Sequence, residues 1–126
     1  MKIEFHTKEI VLSARDKSLM ERKLRKLKRY LKDEPMLIDV FLRDETSAEK
    51  GGVDQAVEIS TNFGKEKIFV REVDDRLMRA FAYAYKGIER NLSRFHRKRI
   101  KEAQKFDENK LAKILRKLRI GGAEEI

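Results

Sequence analysis

The chain contains no cysteine, a single proline and no run of apolar residues approaching the length of a membrane span. Without cysteine there is no disulfide and no thiolate metal site, which fits a reducing cytosol. The start, MKIEFHTKEIVL, alternates charge with apolar residues, so it is not expected to act as a signal peptide, and a cytoplasmic protein is expected. The two histidines, His6 and His96, lie far apart, with no acidic or cysteine partner at ligand spacing, so no metal site is expected. Gly51-Gly52 is an isolated pair and not a phosphate-binding loop. The carboxylate pairs Asp44/Glu45 and Asp74/Asp75 fall in a loop and at a helix start, where turn and capping duties account for them. No acid, base or nucleophile is grouped with another. Neither an enzyme, nor a cofactor, nor a small-molecule substrate is therefore expected.

What the chain does have is charge. Its 126 residues suit one domain with one hydrophobic core. Charged residues make up 42% and the formal net charge is +9, which draws the protein to polyanions such as nucleic acid or an acidic membrane surface.

Hydrophobic periodicity gives the element order. Ile3 and Phe5 alternate as in a half-buried strand, and Ile10, Val11 and Leu12 lead towards a turn. Ser13 and Asp16 have the spacing of a capping box. The helix that follows buries Met20, Leu24, Leu27 and Leu31, at steps of four and three, and Pro35 is expected to end it. A second strand alternates Ile38, Val40 and Leu42 with Asp39 and Arg43. A third alternates Val53, Val57 and Ile59 with Asp54 and Glu58. Asn62 and Gly64 make a hairpin turn into a fourth strand marked by Ile68 and Val70. Asp74 or Asp75 then caps a second helix whose apolar stripe is Leu77, Phe81, Tyr85, Ile88, Leu92 and Phe95.

The predicted fold is therefore α+β, in the order β-α-β-β-β-α. A helical crossover favours parallel pairing of the first two strands, and hairpins make the later pairs antiparallel. The result is a four-stranded mixed sheet with both helices packed on one face and a mostly polar opposite face. Residues 1–105 form the domain. Residues 106–126 read as a basic amphipathic tail, with Leu111, Ile114, Leu115 and Leu118 at helical spacing and Gly121 as its stop.

The charge is segregated along the chain. Residues 14–32 sum to +7, residues 33–75 to −7 and residues 76–105 to +8. Opposite its apolar stripe the first helix carries Arg22, Arg25, Lys26 and Arg29, flanked by Lys23 and Lys28. The far side of the second carries Arg79, Tyr83, Lys86, Arg90, Arg94, Arg97 and Lys101, with Lys98 alongside, over roughly 33 Å. A face that serves only solubility mixes both signs and gains from i,i+4 pairs, whereas here only Glu21, Glu89 and Glu102 offer such relief. Clustered like charges point to a polyanion-facing surface, on which Tyr83 could stack against an unpaired base or simply edge the helix.

The element order, the two basic helices and the residues Ala80-Phe81, Ala84, Ile88 and Arg90-Asn91-Leu92-Ser93-Arg94 together resemble the hibernation-promoting factor and ribosome-associated inhibitor A family, over about residues 1–103. The family pattern is an aspartate cap, an Ala-Ile pair, an alanine, then Arg-Gln-Leu and alternating basic residues. This chain departs from it at Met78, where a tyrosine is usual, at Lys86-Gly87, where Asp-Lys is usual, and at Asn91. Gly87 costs about 1 kcal/mol relative to alanine inside a helix.

The resemblance implies a noncatalytic translation inhibitor of the short type, monomeric when free. It would dock on the small ribosomal subunit and its rRNA, in the channel of mRNA and tRNA, with no membrane partner. Two other readings remain open on residues alone. A double-stranded RNA-binding domain shares the α-β-β-β-α core, but it usually opens its last helix with a lysine-rich loop where this chain has Asp74 and Asp75. A basic protein-interaction module would meet an acidic partner or membrane instead.

Overall fold

A computed structural model describes residues 1–30, 36–46 and 52–125, with side chains described as far as residue 117 apart from Phe106. The elements are β1 (Lys2–Lys8), α1 (Ala14–Arg25), a 3-10 segment (Lys26–Tyr30), β2 (Leu37–Asp44), β3 (Gln55–Phe63), β4 (Glu66–Asp74) and α2 (Leu77–Glu125). The chain divides into two compact units, Met1–Arg94 and Phe95–Ile126.

The sheet of the first unit has the order β1-β2-β3-β4. β1 runs parallel to β2, and the two later pairs are antiparallel. This is the mixed sheet that the crossover and hairpins predict. Alternation fixes its two faces. Register aligns Phe5 with Val40, Val40 with Ile59 and Ile59 with Val70, so one row of apolar side chains crosses all four strands. Ile38, Val40, Leu42, Val57 and Ile59 are fully or almost fully buried, together with Met20 and Leu24 of α1, Leu27 of the 3-10 segment, and Ala80, Ala84, Ile88 and Leu92 of α2. Thr61, a polar residue inside this layer, donates its hydroxyl hydrogen to the Leu37 carbonyl at 2.9 Å. Its desolvation is thereby answered.

Local signals explain the boundaries. Ser13 Oγ accepts from the Asp16 amide at 3.1 Å, the first half of the capping box. The β3–β4 hairpin turns at Gly64, whose φ of 62° suits the first position of a two-residue loop. At the entry to α2, Asp74 rather than Asp75 accepts from the backbone, at the Arg76 amide (3.0 Å).

Three features differ from the sequence reading. Val53 and Asp54, expected at the start of the third strand, precede it, since β3 begins at Gln55 and Val53 is 52% exposed. The first helix tightens after Arg25 into the 3-10 segment. Leu24 and Leu27 are three residues apart, a spacing that either helix type satisfies, so the apolar stripe does not reveal the change. Leu31 and Pro35 lie outside the described residues. α2 continues past Gly121 to Glu125, because glycine weakens a helix by about 1 kcal/mol without itself imposing a turn.

Gly87 sits where α2 crosses β4. A Cβ at this position would lie 2.8 Å from Val70 Cγ1. The glycine that looks like a helix-weakening departure in the sequence is what lets helix and strand approach this closely.

The opposite face of the sheet carries Glu4, His6, Asp39, Glu58 and Arg71, as expected, and also the exposed apolar residues Leu37, Phe41, Phe69 and Val73. In the second unit Leu111, Ile114 and Leu115 are exposed. No helix among the described residues is long and apolar enough to cross a membrane.

Candidate nucleic-acid interface

Burying Met20, Leu24 and Leu27 against the sheet forces the intervening residues outward. Arg22, Lys23, Arg25, Lys26, Lys28 and Arg29 are all exposed. In the 3-10 segment side chains three apart eclipse one another, which sets Arg29 above Lys26. On α2, burial of Ala80, Ala84, Ile88 and Leu92 leaves Arg79, Tyr83, Lys86, Arg90 and Arg94 exposed.

Three adjoining concavities tie these side chains together. The first, about 310 Å³, has Leu19, Met78, Phe81 and Ala82 as floor and Arg22, Lys23 and Lys26 as rim. The second, about 260 Å³, shares Lys23, Lys26 and Ala82 with it and adds Arg29, Tyr85, Lys86 and Glu89. The third, about 360 Å³, shares Lys86 and adds Glu72, Tyr83, Gly87 and Arg90. The first two share three residues and form one trough between the helical elements, and the third meets it only at Lys86, on the β4 side of α2. Seven of the thirteen candidate side chains from the sequence line the three concavities: Arg22, Lys23, Lys26, Arg29, Tyr83, Lys86 and Arg90.

The trough contains an internal brace. Arg29 donates to Glu89 of α2 at 2.9 Å and to the Tyr30 hydroxyl at 2.7 Å, with its guanidinium 4.7 Å from the Tyr30 ring centroid. These contacts, the Tyr30 hydroxyl first, hold Arg29 more firmly charged than usual. The Tyr85 hydroxyl donates to the same Glu89 carboxylate at 3.1 Å. Burial, followed by the Glu89 charge, pushes the Tyr85 phenol up to about 12. Lys23 lies 5.2 Å from the Tyr85 ring centroid, a cation–π distance. Arg22 and Lys26 have no ion pair among the described residues.

The other sequence candidates are placed differently. Arg25 and Arg94 are exposed and line none of the three concavities. Arg79 turns to the start of its own helix, bonding Asp74 at 2.8 Å and Asp75 at 2.6 Å. A hydrogen bond with Asp75, the Arg76 amide and the Arg79 guanidinium draws the Asp74 carboxyl down to about 2. Arg97, Lys98 and Lys101 belong to the second unit, where each is exposed.

Several acidic side chains of the strands are engaged elsewhere. Arg71 bridges Glu45 and Glu58, and Glu58 lies on the open face of the sheet, away from the helices. On that face strand register also assembles a cluster that sequence spacing hides. Glu4 pairs with Asp39 across β1 and β2, and His6 follows two residues on. His6 Nε2 lies 3.0 Å from Asp39 and 3.9 Å from Glu4, with its ring stacked on Phe41. The ligating atoms of the trio fall within 4.8 Å of one another, a metal-ligand spacing, while Lys2 competes for Glu4 at 3.0 Å.

A four-stranded mixed sheet that backs two helices and a cation-lined trough defines an α+β protein with a strongly cationic helical surface. Sequence comparison gives the family: residues 3–100 match the model described as "Sigma 54 modulation protein / S30EA ribosomal protein". The chain belongs to that family, a group of ribosome-associated modulation proteins and not an enzyme family.

Among solved structures, the N-terminal domain of Thermus thermophilus Protein Y superposes with a TM-score of 0.64 at 23% identity, covering 75% of this chain and 99% of that one. A ribosomal subunit interface protein from Coxiella burnetii gives 0.62 at 17% identity, covering 75% and 97%. At these identities the likeness establishes a common fold. No curated protein matches the chain. The family expected from the second helix is the one the comparison finds.

Proposed function

We propose that this protein is a cytoplasmic, noncatalytic translation inhibitor. It binds small-subunit rRNA in the channel that mRNA and tRNA would occupy and acts as a monomer by steric occupation. The observation that carries this reading is the trough between the helical elements, to which Arg22, Lys23, Lys26 and Arg29 contribute from one and Lys86 from the other, with Arg90 in the concavity that adjoins it at Lys86. Family membership makes the ribosome the natural source of the polyanion. The Coxiella relative is itself described as a subunit interface protein.

Phosphates entering the trough would release counterions as the cations neutralise them, a large gain at low salt that fades as salt rises. Mutually repelling side chains on α1 and the 3-10 segment, moderated at Arg29 by Glu89, are then an arrangement relieved further in the complex. The Asp74–Asp75 pair at the start of α2, already bonded to Arg79, is unlike the basic loop by which double-stranded RNA-binding domains grip phosphates.

Cosedimentation with small subunits on a sucrose gradient tests the reading. Arg22→Glu combined with Arg90→Glu should abolish it, while Lys67→Glu on β4, remote from the trough, should leave it unchanged. Retention of the double variant in moderate salt would refute the reading. Tighter binding to a plain RNA duplex than to subunits would favour a double-stranded RNA-binding domain.

A further inference from the structure

The first concavity differs in kind from the rest of the trough. Its floor of Leu19, Met78, Phe81 and Ala82 is apolar, and Leu19 is 41% exposed in the midst of a strongly cationic surface. Its rim is Arg22, Lys23 and Lys26, and no carboxylate lines it. Phosphate neutralisation needs the rim and has no use for the floor, because a phosphate entering an apolar hollow would lose hydration without compensation. A cationic or wholly apolar ligand would gain nothing from three positive charges. The lining therefore asks for a ligand that is flat and apolar at one end and anionic at the other.

We infer that this hollow seats one unstacked nucleobase of the bound RNA strand, with the adjoining phosphates held by Arg22, Lys23 and Lys26. The inference rests on the function proposed above and specifies how the same surface distinguishes a single strand from a mere polyanion.

Size agrees with the assignment. A volume of about 310 Å³ stands at the lower bound of small-molecule sites, near 300 Å³, enough for a base and too small for a paired duplex. Chemistry agrees as well. The Met78 thioether is a polarisable partner for an aromatic ring, and the Arg22 guanidinium plane can stack on a base that Leu19 and Ala82 support from below. Phe81, 3% exposed, closes the floor and stays part of the core. Splayed bases are the usual target when a protein reads single-stranded RNA, and stacking tolerates any base because each has a π-face.

The test uses the full chain and two fluorescent ten-nucleotide RNA strands at one salt concentration, one with all its bases and one abasic throughout. Phosphate count is the same in both. Wild-type protein should bind the base-bearing strand about tenfold more tightly, within the range measured for single stacked bases. Ala82→Leu, which fills the hollow, should bring that affinity close to the abasic value, with a far smaller effect on abasic binding. Leu19→Gln, at an exposed position that keeps the fold, should act in the same direction, and melting curves confirm that both variants are folded.

Equal affinity of the wild type for both strands, or indifference to Ala82→Leu, would overturn the base seat while leaving phosphate binding intact. If neither strand binds, the seat is also overturned. Cosedimentation with small subunits then decides separately whether the broader reading survives.

Discussion

Arg29 and Glu89, sixty positions apart in the chain, meet at 2.9 Å and join the 3-10 segment to α2 across the middle of the cationic trough. The pair puts one carboxylate where every neighbouring side chain favours anions. Its stability value at an exposed position is small, so its main effect is to set how the two basic elements face each other and to moderate their field.

Replacing Glu89 by glutamine keeps hydrogen-bonding capacity for Arg29 and Tyr85 and removes the negative charge. The expected outcome is a severalfold gain in affinity for RNA, with a modest loss of melting temperature. Anisotropy titration and thermal melting check both. Weaker RNA binding would mean that the brace matters more than the charge it removes.

Gly87→Ala sets helix propensity against packing. Alanine favours the helix by about 1 kcal/mol, yet its Cβ would lie 2.8 Å from Val70 Cγ1. Valine is stiff about χ1 and yields poorly. Overpacking of this kind costs about 1–3 kcal/mol, so urea unfolding should show net destabilisation. In a Val70→Ala background the same substitution should become neutral or stabilising.

Alkaline titration reports on Tyr85. Its phenol is pushed up to about 12, against 10.0 for an unperturbed tyrosine, so the folded state holds the proton more tightly than the unfolded state. The resulting stability is fully present below pH 10 and is lost as pH rises through about 12. Absorbance at the tyrosinate band should show a late step that Tyr85→Phe removes, and the variant's stability should depend less on pH in that window.

Arg79 and Lys86 should separate on substitution by alanine. Lys86 lines two of the concavities, whereas Arg79 is bonded to Asp74 and Asp75. RNA affinity should fall more for Lys86→Ala, and melting temperature more for Arg79→Ala. Because the Asp74 carboxyl is held down to about 2, its contribution is present above its ordinary value of 3.8 and is lost as pH falls through about 2. Asp74→Asn should flatten the acid limb of the stability curve.

Much of this molecule can be read from its residues. Alternation in LIDVFLRD and QAVEISTNF specifies strands with one buried face, and Ser13 marks the start of α1 where the hydroxyl is found. The sign segregation that set the helices apart from the strands reappears as the trough. Contacts between distant segments were not legible, because periodicity assigns a residue to a face and not to a neighbour. Glu89 looked like helix-surface relief, yet it is the acceptor for Arg29 and Tyr85. His6 looked isolated, yet register places Asp39 beside it. Gly87 looked like a weakness until Val70 was in view. The apolar floor was hidden for the same reason, since Leu19 and Met78 come from different helices.

Salt dependence of binding to small subunits tests the central claim most directly. With Arg22, Lys23, Lys26, Arg29, Lys86 and Arg90 at phosphates, the logarithm of the association constant should fall against the logarithm of salt with a slope of about −4 to −5. Lys23→Gln with Lys86→Gln should make that slope shallower by about 1.5. Binding that is tight but indifferent to salt, or a slope unaltered in the double variant, would contradict the account.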